Sequence, residues 1–78
     1  MSDFKSRILE FELKKGITKI EIAKIAGVSV RMIQKYAKGE HQPTANVIIK
    51  LADYFNVSTD YLLGRTDDDS PFNKGDNE

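Results

Sequence analysis

The side chains best suited to chemistry in this chain lie close together on one short segment. Gln34 and Lys35 lie three and four residues after Arg31, which places both on the same side of a helix as Arg31. Arginine presents a planar fork of donors, glutamine an amide that donates and accepts, and lysine a mobile positive charge. Such groups bind phosphates and the polar edges of nucleic-acid bases. The pattern therefore indicates a binding surface.

Composition argues against catalysis and against membrane insertion. The 78 residues allow one domain with a core too small for an internal catalytic cleft, so an enzyme is not expected. The chain has no cysteine, and a single histidine, His41, cannot assemble a metal or catalytic cluster. No signal-peptide core is present, and no apolar run approaches the about 18 to 20 residues of a membrane span. We expect a cytoplasmic protein without a cofactor or an evident small-molecule ligand.

Residues 19–38 have the features of two short helices that cross at a sharp turn. Ala23 provides a side chain no larger than a methyl group where the helices come closest, and Gly27 suits a left-handed turn. Ser29 follows at the distance of an N-cap for the second helix. The apolar residues expected to meet on the inner side are Ile22, Ala26, Ile33 and Tyr36. An ordinary pair of amphipathic helices is the alternative, but several independent requirements met in register argue against coincidence.

This segment resembles the helix-turn-helix of the Cro and lambda-repressor type, the Xre family. The resemblance covers about residues 3 to 64. Its other motifs are Ile8 and Phe11, KKGIT at 14–18, Gly39-Glu40, Pro43-Thr44, the apolar residues Leu51, Ala52 and Phe55, Asn56-Val57-Ser58 and Tyr61-Leu62-Leu63-Gly64. It implies an all-α fold: a compact five-helix lambda-repressor-like domain with the helix-turn-helix at helices 2 and 3.

Capping residues and apolar spacing predict the same five helices, with no strand. Thr18 has Glu21 three residues later, as in a capping box. The predicted N-caps are Ser2 or Asp3, Thr18, Ser29, Thr44 and Ser58, and the predicted stop signals include Gly16, Gly39 and Gly64.

The charge is distributed unevenly along the chain. Residues 1–64 contain ten basic and seven acidic side chains, a net charge of +3, whereas residues 65–78 contain two basic and five acidic side chains, a net charge of −3. The first part is the predicted DNA-binding domain. The second is an acidic tail, which we expect to be disordered or loosely held because it is too polar to bury much apolar surface.

The resemblance implies that the third helix lies in the major groove of double-stranded DNA. The predicted base contacts are Val30, Arg31, Gln34 and Lys35. Arg31 can bind O6 and N7 of guanine as a bidentate pair, with a phosphate contact as its alternative. Either Gln34 or Lys35 can read a purine edge while the other meets the backbone, and the sequence does not decide between them. Val30 can only contact a thymine methyl group.

Four further residues are predicted to contact phosphates: Lys19, Ser29, Lys38 and His41. Lys19 stands at the head of the second helix, where relatives commonly have glutamine, so it offers a point charge in place of a directed amide. His41 has a solvated loop position as its alternative. The buried ion pair that many relatives form between helices 1 and 3 is absent at the matching positions, Glu12 and Ala37. Glu12 must therefore find another partner or face water.

Apolar residues at positions that the family tends to keep polar suggest a partner surface. They are Leu9 and Leu13, opposite the apolar face of the first helix, and Ile20 and Ile25 on the second. Isolated exposed apolar residues are also common without any such role. Because two half-sites are read together by a dimer, we expect a homodimer and place its contact on the fifth helix, around Tyr61 and Leu62.

Two functions are consistent with these features. The first is a sequence-specific transcriptional regulator, a repressor that binds a palindromic operator. The alternative is a protein-interaction module on the same fold, of the antitoxin or antirepressor type, with an acidic tail at residues 67–69 that competes with DNA for the basic face.

Overall fold

The computed structural model describes residues 3–70, and within this range the chain forms five α-helices and no strand. The helices are α1 (Phe4–Lys15), α2 (Lys19–Ala26), α3 (Val30–Lys38), α4 (Ala45–Phe55) and α5 (Thr59–Leu63). The all-α prediction is confirmed. Helix bounds agree with the predicted caps and stop signals because both ends of each helix are determined by local backbone chemistry.

Every helix begins with a side chain that accepts a hydrogen bond from a free backbone N–H of the first turn. The five N-caps are Asp3, Thr18, Ser29, Thr44 and Ser58. At α2 the capping box is complete, because the Glu21 carboxylate also accepts from the Thr18 backbone N–H at 2.9 Å. Each cap satisfies a donor that the helix itself cannot, which contributes about 1 kcal/mol.

All five helices contribute to the core: α3 packs on α1 and α2, α4 on α2 and α5, and α5 on α1. Its fully buried side chains include Ile8, Phe11, Ile22, Ile33, Leu51 and Leu62. Phe11 of α1 stacks on Phe55 of α4, with ring centroids 4.1 Å apart. Phe4 meets Tyr36 of α3 edge to face at 5.4 Å. These aromatic contacts hold α3 and α4 against α1, so the outer surface of α3 has a fixed orientation.

A buried arginine, which the sequence pattern alone did not single out, joins the two ends of the domain. Arg7 is 5% exposed and lies on the same side of α1 as Phe4, Ile8 and Phe11. Its Nε donates to the Tyr61 carbonyl oxygen at 2.6 Å, and its guanidinium carbon lies 3.6 Å from the centre of the Tyr61 ring. The sequence signal was present: a single arginine within an apolar helical stripe.

The same guanidinium holds the segment that follows α5. Arg7 donates to the Thr66 carbonyl oxygen at 2.7 Å and lies 3.3 Å from a carboxylate oxygen of Asp67. A further ion pair with Glu10, at 3.0 Å, completes its contacts. Thr66 and Asp67 belong to the tail from Arg65 onward that the sequence predicted to be disordered or loosely held, and in the structure both contact Arg7 of α1. The remainder of the predicted tail, from residue 71, lies outside the described residues.

Candidate nucleic-acid interface

Helix α3 has one buried and one exposed side. Ile33 and Tyr36 are only 0% and 3% exposed, whereas Arg31 and Gln34 extend into solvent. The buried pair anchors the helix to α1 and α2. As a result, a guanidinium and an amide project from a rigid helix without an intramolecular partner in the described hydrogen bonds and ion pairs. The sequence predicted this placement, with Ile33 and Tyr36 on the inner side and Arg31 and Gln34 on the outer side.

The turn before α3 determines where that exposed side points. Gly27 has φ +74°, a left-handed conformation in which a β-carbon would be strained. Its N–H donates to the Ala23 carbonyl oxygen at 2.9 Å, and the Val28 N–H donates to the same oxygen at 3.1 Å. Ala23 is 3% exposed, and α2 and α3 are in contact, as the sequence predicted.

Two predicted base-contacting residues are less accessible than the prediction assumed. Val30 is half-buried and packs against the core, and Lys35 is also half-buried. Both lie in α3 beside residues that reach into solvent. The exposed polar surface of the helix is therefore concentrated on Arg31, Gln34 and Lys38.

Three of the predicted phosphate contacts lie at the two ends of α3. Ser29 is exposed, and its hydroxyl oxygen already accepts from the Met32 N–H at 3.1 Å, which leaves its proton free to be donated. Lys38 and His41 border a cavity of about 260 Å³ beside the N-terminus of α1. The His41 ring lies 6.3 Å from that of Tyr36, which positions it next to the C-terminal end of α3.

The fourth predicted phosphate contact, Lys19, is already paired. Its ammonium group lies 2.7 Å from a carboxylate oxygen of Glu12, which links the head of α2 to α1. The side chains of Lys19 and Glu12 are 33% and 22% exposed, so the pair is partly shielded from water. The family's usual ion pair is absent at Glu12, and Lys19 is the partner that Glu12 has instead.

The two residues predicted for the dimer contact on α5 are buried within the domain. Tyr61 and Leu62 are only 6% and 0% exposed, because Tyr61 packs on Arg7 and Leu62 belongs to the core. Neither side chain is available to a second chain. Of the apolar residues of α5, Leu63 is the exposed one, at 43%.

The apolar residues that suggested a partner surface divide into two groups. Leu9, Leu13 and Ile20 are 55%, 75% and 56% exposed. Ile25 is instead half-buried and packs against the core, so its apolar character has a structural reason. An exposed apolar surface thus exists on α1 and at the start of α2.

Neither a metal-binding cluster nor a membrane-spanning helix occurs in the described part of the chain. Residues 3–70 contain no group of three or more side chains that could hold a metal ion. Over the same range, no helix is both long enough and apolar enough to cross a membrane.

Comparison with known proteins supports the geometric description. A family profile described as helix-turn-helix matches residues 9–62. The chain belongs to this helix-turn-helix family. The HTH-type transcriptional regulator ImmR of Bacillus subtilis is 34% identical over 59 residues, which are 76% of this chain and 46% of ImmR. The cryptic phage CTXphi transcriptional repressor RstR of Vibrio cholerae is 38% identical over 48 residues, which are 62% of this chain and 43% of RstR.

Two solved helix-turn-helix structures share the fold. A transcriptional regulator from Listeria innocua superposes with a TM-score of 0.75 and 31% identity, covering 80% of this chain and 58% of that protein. The P22 c2 repressor, in complex with a synthetic operator, superposes with a TM-score of 0.71 and 27% identity, covering 81% and 96%. The chain therefore spans less than half the length of ImmR but nearly the whole of the P22 structure.

Proposed function

We propose that this helix-turn-helix chain is a sequence-specific, double-stranded DNA-binding transcriptional regulator. In this proposal it acts as a repressor that binds a palindromic operator, with α3 in the major groove. The P22 c2 repressor, which has the same fold, was solved with its operator, and the curated relatives are named as transcriptional regulators. The alternative, a protein-interaction module, has no specific observation in its favour beyond exposed apolar residues.

The two-sided environment of α3 is the main support for DNA binding. Ile33 and Tyr36 immobilise the helix, and Arg31 and Gln34 project from it into solvent. A helix fits the major groove, where each base pair presents a distinct pattern of donors and acceptors. We assign Arg31 to a guanine edge and Gln34 to a neighbouring base. We assign Ser29, Lys38 and His41 to phosphate contacts. Val30 and Lys35, which are half-buried, are assigned to the edge of the base-contacting side of α3.

Enrichment of random duplex DNA at about 150 mM salt tests the proposal, because non-specific phosphate binding is weakened at that concentration. A palindromic motif is expected from the unaltered protein. Arg31→Ala should lose or relax one position per half-site, with a loss of about 1 to 3 kcal/mol for its bidentate contact. Arg65→Ala is the matched control, because the Arg65 side chain is 74% exposed and lies outside α3. Absence of an enriched motif would contradict the proposal.

We further propose that the protein binds DNA as a homodimer, since a palindrome presents two equivalent half-sites. Because Tyr61 and Leu62 are buried, Leu63 is the residue of α5 to test. Sedimentation at tens of micromolar protein, with and without DNA, should detect the dimer, and Leu63→Asp should weaken it if α5 forms the contact. Ile49→Asp introduces the same charge at an apolar side chain of α4 that is 50% exposed, and it serves as the control. A protein that remains monomeric under both conditions would rule the dimer out.

A further inference from the structure

Lys19, the residue at the head of α2 that is predicted to contact a DNA phosphate, is paired with a carboxylate of the protein itself. Lys19 is the first residue of α2, so the helix N-terminus and the lysine charge both favour an anion there. In the structure the ammonium group of Lys19 is paired with the carboxylate of Glu12, at 2.7 Å. Glu12 reaches this point from α1, seven residues earlier in the chain.

This ion pair differs from an ordinary surface contact. Both side chains are partly buried, at 33% exposure for Lys19 and 22% for Glu12, so water screens their attraction less than it would on an open surface. The second carboxylate near this helix end, that of Glu21, accepts from the Thr18 backbone N–H and belongs to the capping box. Glu21 is thus occupied by the cap, and the described contact of Lys19 is with Glu12.

We propose that Glu12 is a positioning residue that restrains Lys19 and makes its phosphate contact conditional on displacing a carboxylate. The inference rests on the proposed DNA-binding function. A phosphate can recruit Lys19 only if the lysine leaves Glu12 or is shared between the two anions. In the first case the partly buried ion pair is lost, and in the second the phosphate and carboxylate repel each other at close range. Both cases lower the affinity for DNA.

The counterion effect sets the expected size of this restraint. Each additional phosphate neutralised makes the slope of log K against log salt steeper by about 0.9, which corresponds to roughly fivefold in affinity at 150 mM salt relative to 1 M salt. Replacing Glu12 by glutamine keeps the shape of the side chain but removes its charge. Glu12→Gln should therefore bind the enriched operator roughly fivefold more tightly per bound protomer, with a slope about 0.9 steeper.

A double-mutant cycle separates this restraint from a general effect of charge. In a Lys19→Met background, Glu12→Gln should no longer change the affinity or the salt slope, because the residue that it restrains is gone. Glu40→Gln removes one exposed negative charge from the loop after α3, and its effect should be independent of Lys19. Thermal unfolding of each variant confirms that binding is measured on folded protein, and Glu12→Ala provides a second removal of the carboxylate that is compatible with a helix.

The affinities of these variants distinguish the restraint from its alternatives. Tighter binding that disappears in the Lys19→Met background supports the proposal. Tighter binding that persists there shows a general charge effect and overturns it. Unchanged or weaker binding on Glu12→Gln also overturns it, because Glu12 would then be neutral or would orient Lys19 favourably. If the unaltered protein enriches no DNA motif, the proposed function itself fails, and that result is distinct from a failure of Glu12→Gln alone.

Discussion

Removal of the Arg7 side chain should cause a large loss of stability. Arg7 donates to the carbonyl oxygens of Tyr61 and Thr66 at 2.6 and 2.7 Å, and it pairs with Glu10 at 3.0 Å. Its side chain is only 6% exposed, so water cannot readily take over the bond to the Tyr61 carbonyl. The variant Arg7→Ala removes these donors together and leaves the two carbonyl oxygens without this partner, while Glu10 keeps its contacts with Tyr61 and Lys14.

The magnitude follows from these contacts. A hydrogen bond to a charged group contributes about 1.5 to 3 kcal/mol, so the two carbonyl bonds alone contribute at least about 3 kcal/mol. Asp67 adds little, because its side chain is 89% exposed. We expect Arg7→Ala to lower the free energy of unfolding by about 3 to 5 kcal/mol, the loss typical of breaking a buried pair. A chain of 78 residues has roughly 4 to 12 kcal/mol in total.

Urea and thermal unfolding, followed by circular dichroism, measure this loss. At about 4 to 8 °C per kcal/mol, the thermal midpoint should fall by at least about 12 °C. Arg7→Lys keeps the charge but not the planar fork, so it should give an intermediate loss that remains measurable if Arg7→Ala does not fold. Arg65→Ala, which removes an exposed arginine 3.9 Å from Asp60, should cost less than about 0.5 kcal/mol. A loss below about 1 kcal/mol for Arg7→Ala would show that these buried contacts do not stabilise the domain as described.

Further predictions concern pH, backbone conformation and the core. Burial, and then the hydrogen bond to Glu10, raise the pKa of Tyr61 to about 12, so the stability that depends on its proton is complete below pH 10 and is lost between pH 10 and 12. Tyr61→Phe should remove this part of the loss in unfolding titrations, and an unchanged alkaline profile would contradict it. Asn56 has φ +57°, a left-handed conformation that glycine adopts freely and valine does not. In urea unfolding, Asn56→Gly should change the free energy of unfolding by less than about 0.5 kcal/mol, and Asn56→Val should lower it by more than about 1 kcal/mol. Equal effects of the two variants would contradict this prediction. Ile33→Ala, at a fully buried site, should cost about 2 to 5 kcal/mol by the same assay, and a smaller loss would indicate that α3 is not anchored as described.

The stability of the protein at acidic pH should depend on Glu10, which contacts both Arg7 and Tyr61. Burial alone would raise the pKa of Glu10, but hydrogen bonds from Tyr61 and Arg7 outweigh it and lower the pKa below the usual value of 4.5. The resulting stability is present above pH 4.5 and is lost as the pH falls through the lowered pKa in the folded protein. The local charges and donors, and not burial, therefore determine the protonation state of this carboxylate.

Local sequence was enough to locate the helices and their ends. A capping oxygen or a left-handed glycine acts within three or four residues, so Thr18, Gly27 and Ser29 could be assigned without any knowledge of packing. The same holds for the two sides of α3, because helical spacing alone separates Ile33 from Arg31. The predicted reading surface was thus available from local chemistry.

Packing between the helices determines which side chains are already engaged. Tyr61 is buried because its ring packs on the guanidinium of Arg7, 54 residues earlier. Lys19 is paired because Glu12 of α1 lies within 2.7 Å. Neither contact has a signature in local spacing, since each depends on how separate helices approach one another. The sequence therefore predicted which groups contact DNA, whereas the fold determined which of those groups are exposed and unpaired in the described structure. This division arises because backbone caps act over one helical turn, but ion pairs and burial depend on residues that only the fold brings together.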